Sequence, residues 1–127
     1  MWVSHTRYIY FLNPENLALE GSIHRQKERD AFIGQLALSE DNSIVWSAHL
    51  GGTTLSAWDA HQKLHKFDIN TERHLKEVAE SLSEHDVVIT AMSTAIDTVW
   101  VGMASGHILL FHEEEMLAWC LRILQLI

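Results

Sequence analysis

Apolar and polar residues alternate in short runs along most of the chain, and turn-forming residues separate the runs. Alternation with a period of two is typical of β-strands that have one face in a core. The pattern therefore predicts an all-β chain of short strands. The predicted strands lie within residues 2–3, 8–12, 17–23, 31–39, 44–48, 54–59, 64–69, 87–92, 96–111 and 116–123.

One segment, residues 70–83, has helical rather than strand periodicity. Asn70 or Thr71 is a suitable N-cap, because its side-chain oxygen can accept a hydrogen bond from the first turn. Glu and Lys residues separate the apolar positions, so we expect a short amphipathic helix inserted between strands. Its apolar positions are Leu75, Val78, Ala79 and Leu82.

The predicted hairpin at residues 96–111, IDTVWVGMASGHILLF, repeats an earlier part of the chain. Residues 41–59 have the same order of turn, Trp-centred strand, small-residue corner and second strand, and residues 1–12 repeat it without the first turn. Repeats of about forty residues with short strands indicate β-propeller blades. The predicted division is an incomplete blade (1–30), a blade (31–69), a helical insertion (70–84) and a blade (85–127).

Tryptophan and glycine mark the repeat, and we expect both to have structural roles. Indole rings can fill the wedge between adjacent blades, and glycine permits positive φ or a close approach of two sheets. Gly51, Gly52 and Gly106 are expected to supply positive φ at hairpin turns, and Gly102 is expected at a close approach. The predicted structural residues of the repeat are Trp2, Trp46, Trp58, Asp59, Trp100, Gly102 and Gly106.

Charge and composition restrict the class of protein. The chain has 127 residues, 47% of them hydrophobic, and a formal net charge of −8. That charge argues against a nucleic-acid or anionic-membrane surface. The single cysteine favours a reducing, cytoplasmic location. The apolar residues 116–127 are too few for a membrane span, which needs about 20.

Few residues in the sequence have a spacing that suggests a metal site or a catalytic site. His61 and His65 near Asp59 form the tightest histidine grouping, but two residues four apart on a strand lie about 13 Å apart, too far to share one metal ion. Cys120 has apolar neighbours that disfavour a thiolate. We therefore predict no catalytic residue, metal or cofactor. The alternative is a propeller enzyme, a metal-assisted hydrolase with a site shared between blades.

Two stretches carry a family resemblance. SAHLGGTTLSAWDAHQKLHKF, residues 47–67, resembles a WD40 repeat with Trp58 and Asp59 at the Trp-Asp position. VWVGMASGHILLF, residues 99–111, resembles the C-terminal propellers of Roco-type leucine-rich-repeat kinases, and similar hairpins occur in Jun-kinase-interacting scaffolds and Rho exchange factors. The third repeat has Phe111 and His112 at the Trp-Asp position, so we expect an incomplete Asp–His–Ser/Thr–Trp hydrogen-bond network.

The resemblance implies a non-catalytic protein-interaction scaffold within a larger signalling protein, whose kinase and GTPase domains would lie elsewhere. We expect about two and a half to three blades, too few to close a ring. Open blades predict self-association; a ring completed by several copies and a small closed barrel are alternatives. Partner contacts are expected from the charged segments that interrupt the repeat, namely a loop at residues 24–30, the inserted helix and a turn at residues 112–115. The candidate partner-binding residues in these segments are Arg25, Lys27, Arg29, Arg73, Lys76, Glu113 and Glu114.

Overall fold

A computed structural model describes residues 1–24, 32–79, 81–95, 97–114 and 118–125. The first antiparallel meander is a separate three-stranded sheet. The sequence predicts alternating burial along its second strand, and the structure shows it. Ile9 and Phe11 are buried, whereas Tyr8, which precedes Ile9, is exposed. The strands of this first meander are β1 (Trp2–His5), β2 (Tyr8–Leu12) and β3 (Leu19–His24).

Two further meanders share one curled sheet of eight strands, in which β5 and β8 are joined by a parallel bridge at Leu50 and Ile89. The second meander contains β4 (Phe32–Leu38), β5 (Ile44–Leu50), β6 (Thr54–Asp59) and β7 (His65–Asn70). The third contains β8 (Ile89–Ala95), β9 (Thr98–Met103), β10 (His107–Glu114) and β11 (Ala118–Gln125).

The hairpins β5–β6 and β9–β10 each turn at a glycine with left-handed backbone conformation. Gly51 follows β5 with φ of 80°, and Gly106 precedes β10 with φ of 91°, a region that costs an L-residue more than glycine. Positive φ was also predicted for Gly52, and this is wrong, because one left-handed residue is enough for the turn. Gly102 was predicted at a close approach of two sheets, and this is wrong. A Cβ atom there would lie 3.5 Å from Thr90 Oγ1, an ordinary van der Waals contact.

The helix α1 (Thr71–Val78) begins where the sequence predicts but ends earlier. The Asn70 side chain caps it by accepting a hydrogen bond from the Arg73 N–H. Ala79 leaves the helix with extended backbone, φ −119° and ψ 134°, while its N–H still bonds to the Leu75 carbonyl. Leu82 reaches the core from the segment after the helix, so its apolar side chain is not evidence of another turn.

Two clusters of buried residues lie on opposite faces of the second meander. Junction I lies between the first and second meanders and consists of Ile9, Phe11, Ile33, Val45 and Trp58. Junction II lies between the second and third meanders and contains Ile44, Trp46, Ala48, Leu55, Ala57, Ile69, Leu75, Val87, Ile89, Met92, Val99, Val101, Met103, Leu109 and Phe111. The neighbours Val45 and Trp46 therefore enter different clusters, as alternation on a strand requires.

The turn predicted at residues 112–115 is wrong for its described part. Strand β10 continues through Glu114, and its last three residues pair with residues 118–120 of β11. Backbone hydrogen bonds form the ladder whatever the side chains are, so a charged run does not end a strand that has a partner. In the described part of the chain, no helix has the length and apolar character to cross a bilayer.

Candidate interaction surface

The helix α1 is held firmly at one end of junction II. The backbone N–H and the side-chain Oγ1 of Thr71 both donate to the Thr53 carbonyl, at 2.9 and 2.7 Å. One turn later, the Leu75 side chain is fully buried in the junction. The His74 ring meets Phe111 of β10 edge-on at 5.5 Å. The second and third meanders therefore position the helix jointly.

The opposite side of α1 is charged and exposed. Arg73, Lys76 and Glu77 are all exposed to solvent, and residues three apart on a helix are neighbours. Lys76 forms an ion pair with Glu72 at 2.7 Å. Exposed pairs of this kind contribute little to stability, so the Lys76 ammonium is accessible to a competing partner. This charged side, consisting of Arg73, Lys76 and Glu77, is called the helix face below.

The other predicted partner-binding residues belong to two further segments of the chain. Arg25, Lys27 and Arg29 lie outside the described residues. Glu113 and Glu114 belong to β10, with their backbone paired to Trp119 and Ala118, rather than to an exposed turn.

A side-chain amide ties the second meander to the third. Gln35 of β4 donates from Nε2 to the Met92 carbonyl at 2.5 Å and accepts from the Met92 N–H at 2.9 Å. The amide thereby makes the two hydrogen bonds that a neighbouring strand would make. Thr94 donates similarly to the Leu38 carbonyl at 2.9 Å. Sequence reasoning missed this tie; its one local sign is a glutamine within the apolar run of β4.

Comparisons with proteins of known structure identify the fold of this chain. No protein-family model and no curated protein matches the sequence. The structure of the RRP9 WD40 repeats matches 98% of the chain with a TM-score of 0.71 at 12% identity, and the chain covers 34% of it. The fold is that of a partial WD40-like β-propeller. The U3-55K structure matches equally well, with a TM-score of 0.71 over 98% of this chain, 10% identity and 35% of that chain covered.

A propeller in a larger assembly is also similar. A chain of the mitotic checkpoint complex matches 87% of this chain with a TM-score of 0.62 at 13% identity, and 29% of that chain is covered. This protein thus spans about a third of the length of the propeller structures that it matches. At such identities the likeness shows the fold alone.

The propeller fold explains where the repeat tryptophans lie. Trp46 and Trp58 are 1% and 2% exposed, and Trp2 is half-buried with its ring edge-on to Phe11 at 4.7 Å. Trp100 is 37% exposed, so its predicted place in the core is wrong. The strand around Trp46 is buried on both faces, whereas the strand around Trp100 has one buried face.

Part of the WD40 hydrogen-bond network is present in the second meander. The Trp58 indole Nε1–H donates to Ser47 Oγ at 3.0 Å in a buried setting. Asp59, at the Trp-Asp position, stabilises the following turn instead. The backbone N–H groups of Gln62 and His61 donate to its carboxylate, at 2.7 and 2.9 Å, and lower the pKa of that carboxyl.

A second polar cluster of this meander involves the histidine that sequence reasoning weighed as a metal ligand. Asp68 accepts a hydrogen bond from Ser56 Oγ at 2.6 Å and lies 2.8 Å from His65 Nε2. The His65 ring also meets Trp58 edge-on at 5.2 Å. His65 thus turns to Asp68 and the indole rather than to His61. Among the described residues no three His, Cys, Asp or Glu side chains are grouped as metal ligands would be.

A groove of about 430 Å³ opens beside junction I, between β1 and β4. Its walls are chiefly apolar, with Trp2 on one side and Leu36 and Leu38 on the other. Asn42 and His61 are the polar residues of its lining. Such a lining can accept an apolar side chain but brings no set of converging polar groups that would define a ligand.

Proposed function

We propose that the chain is a non-catalytic protein-interaction module of a larger WD40-like propeller, and that the helix face is its contact surface. The main support for this proposal is the position of the charged helix α1. The helix interrupts the strand repeat, yet Thr71, Leu75 and His74 hold it against both adjoining meanders. Propeller strands are committed to packing, so partner contacts fall to connecting segments. A prepositioned helix loses little entropy on binding.

Two of the described carboxylates, those of Asp41 and Asp86, have the character of turn-stabilising rather than catalytic groups. Hydrogen bonds from Ser43 and Ser39 lower the pKa of Asp41 to about 2, and the Ser83 N–H lowers the pKa of Asp86. Both groups are ionised at neutral pH and tied to their own turns, which is unlike a general acid poised near neutrality. Stoichiometric zinc or calcium in the purified protein, or turnover in a hydrolase screen, would contradict this part of the proposal.

We further propose a Roco-type kinase as the parent protein and the cytoplasm as its location. The support is the VWVGMASGHILLF hairpin and the helix between repeats. Transcript sequence on either side of the coding segment tests the parent, since kinase and GTPase signatures are expected there. If those signatures are absent, the parent is another WD40 protein. Cell fractionation tests the location.

Charge reversal on the helix face tests the interaction role. Arg73→Glu and Arg73→Glu/Lys76→Glu are compared with Lys66→Glu as baits in quantitative affinity purification. Lys66 lies on β7 and is also exposed. Lys66→Glu and Arg73→Glu change the net charge by the same amount. We expect specific partners to be recovered about tenfold less with the helix variants, equivalent to ~1.4 kcal/mol, and to be retained with Lys66→Glu.

Unchanged recovery with both helix variants would refute the helix face as the contact surface. Arg73→Lys keeps the charge and should retain the partners. An equal loss with Lys66→Glu would mean that overall charge, rather than the helix face, governs binding.

A further inference from the structure

The turns at one end of the first two meanders form a surface that is separate from the helix face. The Ala60 N–H donates to the Ser43 carbonyl at 3.0 Å, and the Lys63 Nζ lies 5.1 Å from the centre of the Phe11 ring, so the turns of the two meanders are neighbours. The helix α1 follows β7 and lies at the opposite end of the strands. We call this surface the turn end, and it consists of the turns at residues 13–18, 39–43 and 60–64.

Exposed leucines concentrate at the turn end. Junctions I and II show that meanders pack against each other through their sheet faces, so a further meander would cover a face and leave this end in solvent. Exposed apolar patches outside a packing face mark interaction sites. All the leucines that are exposed among the described residues lie in or next to these turns: Leu17, Leu19, Leu38 and Leu64.

The groove beside junction I reaches the turn end. Trp2 forms one wall, Leu36 and Leu38 form the other, and Asn42 and His61 of two turns complete the lining. Leu38 is 47% exposed, so an incoming apolar side chain would remove apolar area from water. The volume of about 430 Å³ leaves room for a bulky side chain.

Carboxylates beside the groove determine the charge of a suitable partner. Asp41 and Asp59 each come directly before a residue that lines the groove. Hydrogen bonds within their own turns lower the pKa of both carboxyls, so both are ionised at neutral pH. Glu15 and Glu40 add negative charge to the three turns, in which Lys63 is the one Lys or Arg residue. The turn end therefore attracts a cationic partner and repels nucleic acid or an anionic membrane.

We propose that the turn end is a second protein-binding surface, which takes a short peptide segment that has a bulky apolar side chain next to lysine or arginine. The apolar side chain enters the groove between Trp2 and Leu38, and the basic side chains pair with Asp41 and Asp59. This surface lies at the other end of the strands from the helix face. The inference therefore goes beyond the proposed function and does not depend on it.

Selection from random peptides displayed on phage tests the proposal. We expect the immobilised chain to enrich peptides in which an apolar residue is flanked by lysine or arginine. Fluorescence anisotropy then measures the affinity of a recovered peptide. That affinity should fall as the salt concentration rises from about 0.1 M to about 1 M, because exposed charges are then screened.

A variant of the groove wall tests the apolar part of the site. Leu38→Thr removes apolar area from the wall and should weaken peptide binding about tenfold. Threonine favours strands, so the variant should fold. Val3→Thr, at an exposed position of β1 outside the lining of the groove, is the control and should bind like the wild type.

A second variant tests the charged part. Asp41→Asn/Asp59→Asn removes both charges and keeps an oxygen that accepts the hydrogen bonds of each turn. It should weaken peptide binding about fivefold and reduce its salt dependence. Glu77→Gln/Glu84→Gln removes the same charge from exposed residues at the other end of the strands and should change neither quantity.

Several outcomes would overturn the proposal. Absence of enrichment, or enrichment of peptides without the apolar and basic residues, excludes the proposed ligand. Unchanged affinity in Leu38→Thr or in Asp41→Asn/Asp59→Asn, with folding confirmed by circular dichroism, excludes the proposed contacts; if Leu38→Thr does not fold, the aspartate variant decides alone. Loss of peptide binding in Arg73→Glu would move the contact to the helix face, and competition by phosphatidylcholine vesicles would assign the turn end to a lipid surface.

Discussion

The hairpins β5–β6 and β9–β10 have nearly the same sequence layout and very different surroundings. Both carry a Val-Trp pair in the first strand and a turn at a left-handed glycine. In the first hairpin the tryptophan, Trp46, is 1% exposed, whereas in the second, Trp100 is 37% exposed. The difference arises because β5–β6 contributes side chains to both junction I and junction II, whereas the described buried residues of β9–β10 belong to junction II.

The comparison separates local from tertiary effects. Backbone turns and strand pairing depend on nearby residues and are alike in the two hairpins. Burial depends on whether a neighbouring meander is present, and it differs. Substitutions at equivalent positions should therefore have equal effects where the cause is local and unequal effects where it is packing.

The largest difference is expected at the tryptophans. Trp46→Ala should lower the free energy of unfolding by about 3–5 kcal/mol, because it leaves a cavity in a packed core. Trp100→Ala should cost about 1 kcal/mol, near the centre of ordinary substitutions. Urea denaturation followed by circular dichroism measures both, at a dilution where the chain is monomeric. Equal losses would show that the Trp100 side chain is as well packed as the Trp46 side chain.

A double-mutant cycle should show the contribution of a hydrogen bond that the second meander has and the third lacks at the equivalent positions. In the second meander Trp58 donates to Ser47, whereas Phe111 and Val101 take the equivalent places in the third meander. Ser47→Val alone should cost about 1–3 kcal/mol by leaving a buried indole N–H without its acceptor. Combining it with Trp58→Phe removes the donor, so the double loss should be about 1 kcal/mol smaller than the sum of the single losses. Strict additivity would show that the hydrogen bond does not couple the two side chains.

The glycine turns should respond alike. Gly51→Ala and Gly106→Ala each place a Cβ at positive φ and should each cost about 1–2 kcal/mol. Thermal unfolding of the two variants should give similar decreases in Tm. Gly102→Ala, where φ is ordinary and the space suffices, is the control and should have a smaller effect. A much larger loss at Gly51 than at Gly106 would mean that the packing around each turn matters there as well.

The smallest effect is expected at the turn before each hairpin, where Asp41 of the second meander corresponds to Ala95 of the third. The folded pKa of Asp41, about 2, lies below its ordinary value of 3.8. A lowered carboxyl pKa stabilises the fold above the ordinary value, and this stabilisation is lost as pH falls through the folded value.

Asp41→Ala should therefore lower the Tm slightly above pH 3.8, and its difference from the wild type should shrink as the pH falls toward 2. Glu40→Ala removes the same charge from the neighbouring residue and is the control. A Tm difference for Asp41→Ala that does not change with pH would assign the effect to the turn preference of the residue rather than to the ionised carboxylate.

Local patterns in the sequence determined the strands, the inserted helix and its cap at Asn70, and the left-handed glycines Gly51 and Gly106. These features depend on residues within a few positions of one another, so alternation and turn chemistry are sufficient to predict them. The propeller-like repeat could be recognised in the sequence for the same reason, because it consists of the same local pattern occurring three times. Of the predicted contact residues, Arg73 and Lys76 share the helix face because helical spacing alone makes them neighbours.

Only the tertiary structure decided which equivalent positions are buried. Trp46 and Trp100 cannot be told apart by their neighbours in sequence, and one of them has a meander packed over it. The same holds for the tie between Gln35 and Met92, which lie 57 residues apart, and for the extension of β10 through its charged end beside β11. In each case the deciding partner is distant along the chain, and short-range periodicity carries no information about it.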